Sequence, residues 1–175
     1  MVTITVSGTP GSGKTTVAQL LHEKLRIPYI YSGLIFRETA EKYKMSLEDF
    51  GKYCEKNAEV DKELDARQIE ILKEGNVILE GRLAGWLAYK HKIPSFKIAI
   101  TTDIKTRAER IVKREKGDAK QREKEILERE RSENARYKKY YNIDLKDFSV
   151  YDLVIDSSDK TPEEIVNIIV EKINM

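Results

Sequence analysis

The sequence has a single cysteine and no long hydrophobic run. One cysteine, Cys54, excludes an internal disulfide and fits a reducing compartment. No stretch approaches the roughly 20 apolar residues that a membrane span needs, and the first residues predict a strand rather than a signal peptide. We therefore expect a cytoplasmic protein with no membrane partner. Because Cys54 has no activating neighbour in the sequence, we expect it to pack rather than to react.

An excess of charge of one sign is also absent. The chain has 32 Lys and Arg against 30 Asp and Glu, so its net charge is only +2 although 35% of its residues are charged. Basic residues balanced by acidic ones do not indicate nucleic-acid binding. A length of 175 residues, 40% of them hydrophobic, suits a single domain over residues 1–175. We expect that domain to be monomeric.

What the sequence does contain is an alternation of short apolar runs with longer charged, amphipathic stretches. This pattern is typical of repeated βα units. Runs that are apolar at both odd and even positions indicate parallel strands covered by helices on both faces of the sheet. Helices are predicted over 14–25 and 162–173. The predicted strands are 2–6, 28–31, 77–79, 96–100 and 153–155.

Two regions do not look like simple crossovers. Residues 37–75 form a long, helical excursion between the second and third predicted strands, which we interpret as an inserted substrate-binding region. Residues 113–136 are almost wholly charged, with few apolar positions to anchor them to a core. Since segments with few buried contacts open easily, we expect a mobile lid over about 113–131.

The stretch GTPGSGKTT predicts a phosphate-binding loop. Residues 8–15 fit the pattern G-x-x-x-x-G-K-S/T at every fixed position, between a predicted strand and a predicted helix. Its glycines let successive N–H groups face one anion, Lys14 reaches the β- and γ-phosphates, and the Thr15 hydroxyl is placed for Mg²⁺. The residues expected to hold the donor phosphates are Gly8, Thr9, Pro10, Gly11, Ser12, Gly13, Lys14, Thr15 and Thr16.

The motifs that would make this loop a switch or a motor are missing. No Asp-x-x-Gly follows the third predicted strand, no Asn-Lys-x-Asp occurs, and the chain is too compact to couple a motor to other domains. Phosphoryl transfer to a small acceptor is therefore favoured.

Acceptor-binding residues are expected after the second and third strands, because the carboxyl ends of adjacent parallel strands meet at one sheet edge. Arginine suits a bidentate grip on phosphate, and an acidic residue there can hold a water of the Mg²⁺ shell. Arg37 alone could equally be a surface residue paired with Glu38 or Glu41. The candidates are Ser32, Gly33 and Arg37 after the second strand, and Glu80, Gly81 and Arg82 after the third.

Taken together, the loop, SGLIFR, EGR and RERSENARY resemble the cytidylate kinase family of nucleoside monophosphate kinases, in its compact archaeal form. The resemblance covers essentially the whole chain. It implies a P-loop NTPase of the α/β class, with an adenylate-kinase-like five-stranded parallel sheet flanked by helices, a helical monophosphate-binding insert and a mobile lid. It also implies transfer of the γ-phosphate of ATP to CMP or dCMP, with Mg²⁺.

Roles carry over by position from this resemblance. Ser32, Arg37 and Arg82 would hold the acceptor phosphate and its surroundings. Three residues, Arg129, Glu133 and Arg136, would contact the acceptor's sugar and the phosphates that take part in the transfer. Glu133 stands where bacterial members often have aspartate. The residues expected to act in catalysis are Lys14, Arg37, Arg82, Arg129 and Arg136.

The stretch ERIVKR resembles the helix that introduces the lid in adenylate kinases. By that likeness Arg110 would stack on adenine and Arg114 would reach phosphate. The alternative for the whole region is a solvated, salt-bridged helix, since Glu and Lys are equally dense there.

At the positions that bind the base, this sequence departs from the pattern of the bacterial relatives. Leu83 stands where bacterial relatives have a cytosine-binding aspartate, and Asp61 falls where they have an arginine. A carboxylate accepts the amino hydrogens of cytosine, a contact that uracil does not make equally. Asp61 is therefore the predicted cytosine-selecting residue, and Arg67 would either hold the base or balance charge.

Rival functions remain open at this point. The acceptor could instead be AMP, UMP, a nucleoside or shikimate. In a different class, the same fold could serve an ATP-gated RNA-binding or ribosome-assembly factor.

Overall fold

A five-stranded parallel sheet forms the centre of the molecule in the computed structural model. The structure describes residues 2–174, without side-chain detail at residues 47, 48, 51, 55 and 132. The strands lie in the order β2-β3-β1-β4-β5, and every pairing is parallel, so the predicted α/β fold is confirmed. Their bounds are β1 Ile4–Gly8, β2 Tyr29–Tyr31, β3 Ile78–Glu80, β4 Phe96–Thr101 and β5 Leu153–Asp156.

Helices connect the strands. The first and last have the predicted bounds, and the last begins with a capping box in which Thr161 and Glu164 satisfy each other's backbone N–H groups. The bounds are α1 Lys14–Leu25, α2 Ser32–Lys42, α3 Leu47–Lys56, α4 Ala58–Glu74, α5 Ala84–Lys90, α6 Ile104–Glu115, α7 Ala119–Tyr141 and α8 Pro162–Ile173.

Strand β1 is central and lies two residues later than predicted. It pairs with β3 on one side and β4 on the other, with Ile4 opposite Ile78 and Gly8 opposite Ile100. The long pairing with β4 therefore carries the strand up to the glycine that opens the phosphate loop. The chain crosses from β3 to β4 past β1, and this reversal of strand order leaves a crevice at the carboxyl ends of the strands.

Helices α2, α3 and α4 fill most of the segment between β2 and β3. The stretch from 37 to 75 is helical as predicted, although α2 already begins at Ser32, directly after β2. These helices pack around a small core of their own, in which Phe50 and Ala40 are almost fully buried. That this segment binds the acceptor stays a prediction.

Helices α6 and α7 form a hairpin with a three-residue connection at 116–118. A small apolar cluster of Ala108, Ile111 and Ile126 holds the two charged helices together. Whether the hairpin moves as a lid stays a prediction. None of the helices within residues 2–174 is long and apolar enough to cross a membrane.

Candidate active site

The phosphate loop has the backbone geometry of an anion nest. Gly11 and Gly13 have φ values of 77° and 85°, which L side chains rarely adopt. A Cβ atom at Gly8 would lie 2.6 Å from Ser12 Oγ and 2.8 Å from the Ile100 carbonyl oxygen, so only glycine fits there. Helix α1 follows without a side-chain cap, which leaves its first N–H groups for a bound phosphate.

Lys14, Thr15 and Glu80 meet at the start of α1 and the end of β3. Thr15 Oγ1 donates a hydrogen bond of 2.9 Å to Glu80 Oε1, and Tyr29 donates its hydroxyl to Glu80 Oε2. The Lys14 ammonium lies 3.8 Å from Glu80 Oε1. Burial lowers the pKa of Lys14, and the Glu80 carboxylate opposes that shift.

This donor set fits Mg²⁺ in the way phosphate-transferring enzymes hold it. One hydroxyl and one carboxylate are adjacent, and Mg²⁺ commonly takes one or two protein oxygens and completes its shell with phosphates and waters. Within residues 2–174 no group of three or more His, Cys, Asp or Glu side chains is placed to hold a metal ion.

Arg110 lies against the phosphate loop and the turn after β5. Its guanidinium donates to the Ser12 carbonyl oxygen at 3.2 Å and to the Ser157 carbonyl oxygen at 2.7 Å. Ser157 is buried, and its hydroxyl donates to the same Ser12 carbonyl at 2.8 Å. Arg110 and Ser157 therefore tie the phosphate loop to the last βα turn. That Arg110 stacks on adenine stays a prediction.

A cavity of about 520 Å³ opens between α2, α4, the end of β3 and α7. We call it the acceptor cavity because the residues predicted to bind the acceptor line it, and its volume lies in the range of small-molecule sites. Cys54 lines this cavity and is buried. Burial raises the pKa of its thiol to about 11, so the thiol stays protonated. The side chains that line it from the predicted site are those of Ser32, Arg37, Asp61, Arg82, Arg129, Glu133 and Arg136, with Gly33 and Leu83 beside them.

Arg82 is the buried cation of the acceptor cavity. Its Nη1 lies 2.7 Å from Glu133 Oε2, and Glu133 also accepts a 2.9 Å hydrogen bond from Arg129 Nε. Among the described residues neither Nη1 nor Nη2 of Arg82 has a partner with hydrogen-bond geometry. Arg82 also lines a smaller cavity of about 230 Å³ together with Gly8 and Thr9. It therefore stands between the two halves of the site.

Asp61 and Arg136 form an ion pair in the lining of the acceptor cavity, with Arg136 Nε 3.7 Å from Asp61 Oδ2. Burial raises the pKa of Asp61, and the Arg136 guanidinium acts against this shift. Asp61 Oδ2 makes no hydrogen bond within the described part of the chain. The predicted base reader is thus inside the acceptor cavity, but next to a guanidinium.

Asp65 and Gln68 also line the acceptor cavity, and the sequence argument did not include them. Tyr141 donates its hydroxyl to Asp65 Oδ2, and Gln68 Nε2 donates to Asp65 Oδ1 at 3.2 Å. Burial is the main cause that raises the pKa of Asp65 to about 6. Asp61, Asp65 and Gln68 are spaced four and three residues apart on α4, so helical periodicity was the signal that could have found them.

Two predicted residues are not brought to the site. Arg67 is exposed and pairs with Glu70 on the same helix at 3.3 Å. Arg114 is exposed and pairs with its neighbour Glu115. Arg114 thus follows the alternative of a solvated, salt-bridged helix, and Arg67 balances the charge of Glu70 rather than lining the acceptor cavity.

Arg37 lines the acceptor cavity but remains exposed. Its Nη1 donates to the Tyr31 hydroxyl at 3.2 Å rather than to Glu38 or Glu41, the partners that the alternative of a surface residue named. Ser157 and Tyr29 were also missed by the sequence argument. Both lie at strands that had been predicted, and reading one or two residues beyond the end of β5 would have reached Ser157.

Comparison with known proteins places this geometry in a family. The sequence model of the "Cytidylate kinase-like family" matches residues 3–159. A cytidylate kinase of Methanocaldococcus jannaschii is 48% identical over 167 residues, which is 95% of this chain and 94% of that protein. A cytidylate kinase of Pyrococcus horikoshii is 46% identical over 166 residues, covering 95% of this chain and 85% of that protein.

Solved structures show the same fold at low sequence identity. An uncharacterized protein from Eubacterium ventriosum superposes with a TM-score of 0.75 at 20% identity, and 99% of each chain is covered. Shikimate kinase from Bacteroides thetaiotaomicron superposes with a TM-score of 0.67 at 14% identity, again over 99% of each chain. At these identities the likeness concerns the fold alone.

Proposed function

The chain belongs to the cytidylate kinase-like family, and from this membership we propose that it phosphorylates CMP and dCMP to their diphosphates with ATP. The relatives at 41–48% identity over about 95% of the chain support this acceptor over AMP, UMP or shikimate. The same relatives give no support to an RNA-binding or ribosome-assembly role.

The observation that carries the proposal is the position of Arg82. Its guanidinium is largely buried between the phosphate loop and the acceptor cavity, and two of its nitrogen atoms lack a hydrogen-bond partner in the described chain. Glu133 lies at ion-pair distance from Nη1 but does not satisfy these donors with hydrogen-bond geometry, so they can bind a second anion. The phosphate of the acceptor supplies that anion at the place where it must face the γ-phosphate of the donor.

The reaction follows from this arrangement. An oxygen of the acceptor phosphate attacks the γ-phosphorus of ATP in line, the new P–O bond forms, and the bond to the β-phosphate oxygen breaks to release ADP. The acceptor phosphate is already largely ionised at neutral pH, so no general base is required. Positioning and charge neutralisation supply the acceleration.

Each half of the site has a distinct task in this scheme. Lys14 and the loop N–H groups hold the donor phosphates, and Thr15 and Glu80 would hold Mg²⁺, which neutralises phosphate charge when bound. Arg82, Arg129 and the Arg136 side chain surround the acceptor. Closure of the α6–α7 hairpin over both would exclude water, which otherwise hydrolyses ATP. Since one chain supplies both halves, the proposal requires only a monomer.

An acceptor panel tests this proposal. ADP release from Mg·ATP would be measured with CMP, dCMP, UMP, AMP and shikimate, with RNA and with no acceptor. We expect CMP and dCMP to stimulate ADP release far above the acceptor-free rate. Stimulation by AMP or shikimate alone, or slow hydrolysis that responds only to RNA, would contradict the proposal.

A further inference from the structure

We propose that Gln68, with its amide oriented by Asp65, selects cytosine over uracil in the acceptor cavity. This inference rests on the proposed function and names a determinant of its specificity. Both residues lie on α4, and both line the acceptor cavity.

The orientation of the Gln68 amide is set by its neighbour. An ionised carboxylate accepts hydrogen bonds and donates none, so the group that faces Asp65 Oδ1 at 3.2 Å must be the amide nitrogen, Nε2. Tyr141 occupies the other carboxylate oxygen with its hydroxyl. The Gln68 carbonyl oxygen, Oε1, is therefore directed away from Asp65.

That carbonyl oxygen is buried and needs a donor. Gln68 is 6% exposed, and Oε1 has no hydrogen-bond partner in the part of the chain that the structure describes. A buried acceptor left without a partner costs about 1–3 kcal/mol. Gly81 leaves room for this oxygen beside Ser32, another residue that lines the acceptor cavity, because a Cβ atom at Gly81 would lie 3.2 Å from Oε1 and 3.1 Å from Ser32 Oγ.

A fixed acceptor distinguishes the two pyrimidines by their exocyclic groups. Cytosine carries an amino group, which donates, and uracil carries a carbonyl oxygen at the same place, which accepts. Gln68 Oε1 would receive the cytosine amino hydrogen, whereas it would face the uracil oxygen with no proton between them. Sites built to hydrogen-bond one group reject an analogue that cannot supply it, because the buried polar group is left unpaired.

Asp61 is the rival for this role, and its surroundings differ. Its carboxylate faces Arg136, whose charge it partly balances. The Gln68 amide is uncharged, and its nitrogen is held by Asp65, whose other carboxylate oxygen accepts from Tyr141. The geometry thus gives Gln68 an uncharged acceptor oxygen whose orientation is set by Asp65, and it assigns Asp61 the task of positioning Arg136.

Two variants test the proposal. Gln68→Met keeps the length of the side chain and removes the acceptor, and Asp65→Asn frees the amide to turn its NH₂ group toward the acceptor cavity. In each we expect the ratio of kcat/KM for CMP to that for UMP to fall about tenfold to a hundredfold, the range of one well-formed base contact. The KM for ATP should not change.

Controls separate a base contact from a general loss of fit. Glu70→Gln, on the exposed side of α4, should leave the CMP-to-UMP ratio at its wild-type value. Arg82→Lys should weaken both acceptors alike, since both carry the same phosphate. Calorimetric binding of CMP and UMP to each variant provides the same ratio if turnover is too slow to measure.

The outcomes distinguish this inference from the proposed function. If the wild type prefers CMP and Gln68→Met keeps that preference, the inference is overturned while the proposed function stands. If the preference is lost only in Asp61→Asn, Asp61 is the reader and the inference is again overturned. A wild type without CMP-dependent ADP release overturns the proposed function itself, and the inference with it.

Discussion

Replacing Asp65 by asparagine should stabilise the protein at neutral pH. Asp65 is buried against α7, and burial raises its pKa from 3.8 to about 6. A folded-state pKa above the unfolded value means that the folded protein binds the proton more tightly. Stability is therefore lost as pH rises from about 4 to about 6, and the full penalty is present at pH 7.5.

The size of this penalty follows from the shift. A difference of about 2 pKa units corresponds to about 3 kcal/mol at roughly 1.4 kcal/mol for each unit. Asparagine keeps an oxygen that accepts from Tyr141 but has no charge to desolvate. It also gives up the attraction of Arg136, so we expect a gain of about 1–3 kcal/mol in the free energy of unfolding at pH 7.5.

Urea denaturation of wild type and variant at pH 4 and pH 7.5 measures this effect. The gain should be present at pH 7.5 and nearly absent at pH 4, because both side chains are then neutral. Glu70→Gln, an exposed position on the same helix, should change stability by less than about 0.5 kcal/mol at either pH. A variant less stable than wild type at pH 7.5, or a difference independent of pH, would refute the reasoning.

Three further predictions concern the site. Arg82→Ala should raise the KM for CMP and lower kcat/KM by a factor that corresponds to about 2–4 kcal/mol of lost transition-state stabilisation. The loss should exceed that in Arg37→Ala, because Arg82 is buried and Arg37 is exposed. Equal losses in the two variants would show that burial does not set the size of the contribution. Ser157→Ala should raise the KM for ATP about five- to tenfold, since one buried hydrogen bond to the phosphate loop is lost, and an unchanged KM would exclude that role. Lys14→Ala should abolish transfer but leave calorimetric binding of CMP in place, and measurable turnover would contradict its assignment.

Much of the fold was predictable from local pattern. Helices α1 and α8 begin and end where periodicity predicts them, because that signal lies within a few consecutive turns of the chain. The phosphate loop was equally readable, since its glycines are required by backbone conformation at Gly11 and Gly13. The meeting of Ser32 and Arg82 at one sheet edge followed from the parallel arrangement of the strands alone.

In the charged regions, local pattern could not tell which arginines contact the site and which lie at the surface. Arg110 and Arg114 lie one turn apart on α6 in similar company, yet Arg110 contacts the phosphate loop and Arg114 pairs with Glu115 at the surface. The two arginines differ because they lie on different faces of α6. Which face contacts the phosphate loop depends on how α6 packs against the sheet.

The phosphate loop could be predicted from the sequence, because it is a contiguous backbone structure encoded in nine residues. The lining of the acceptor cavity could not, because it depends on how helices distant in the chain pack together. Asp65 and Tyr141 are 76 residues apart and meet because α4 and α7 close the same cavity. No local pattern predicts their contact, because it depends on how these two helices pack.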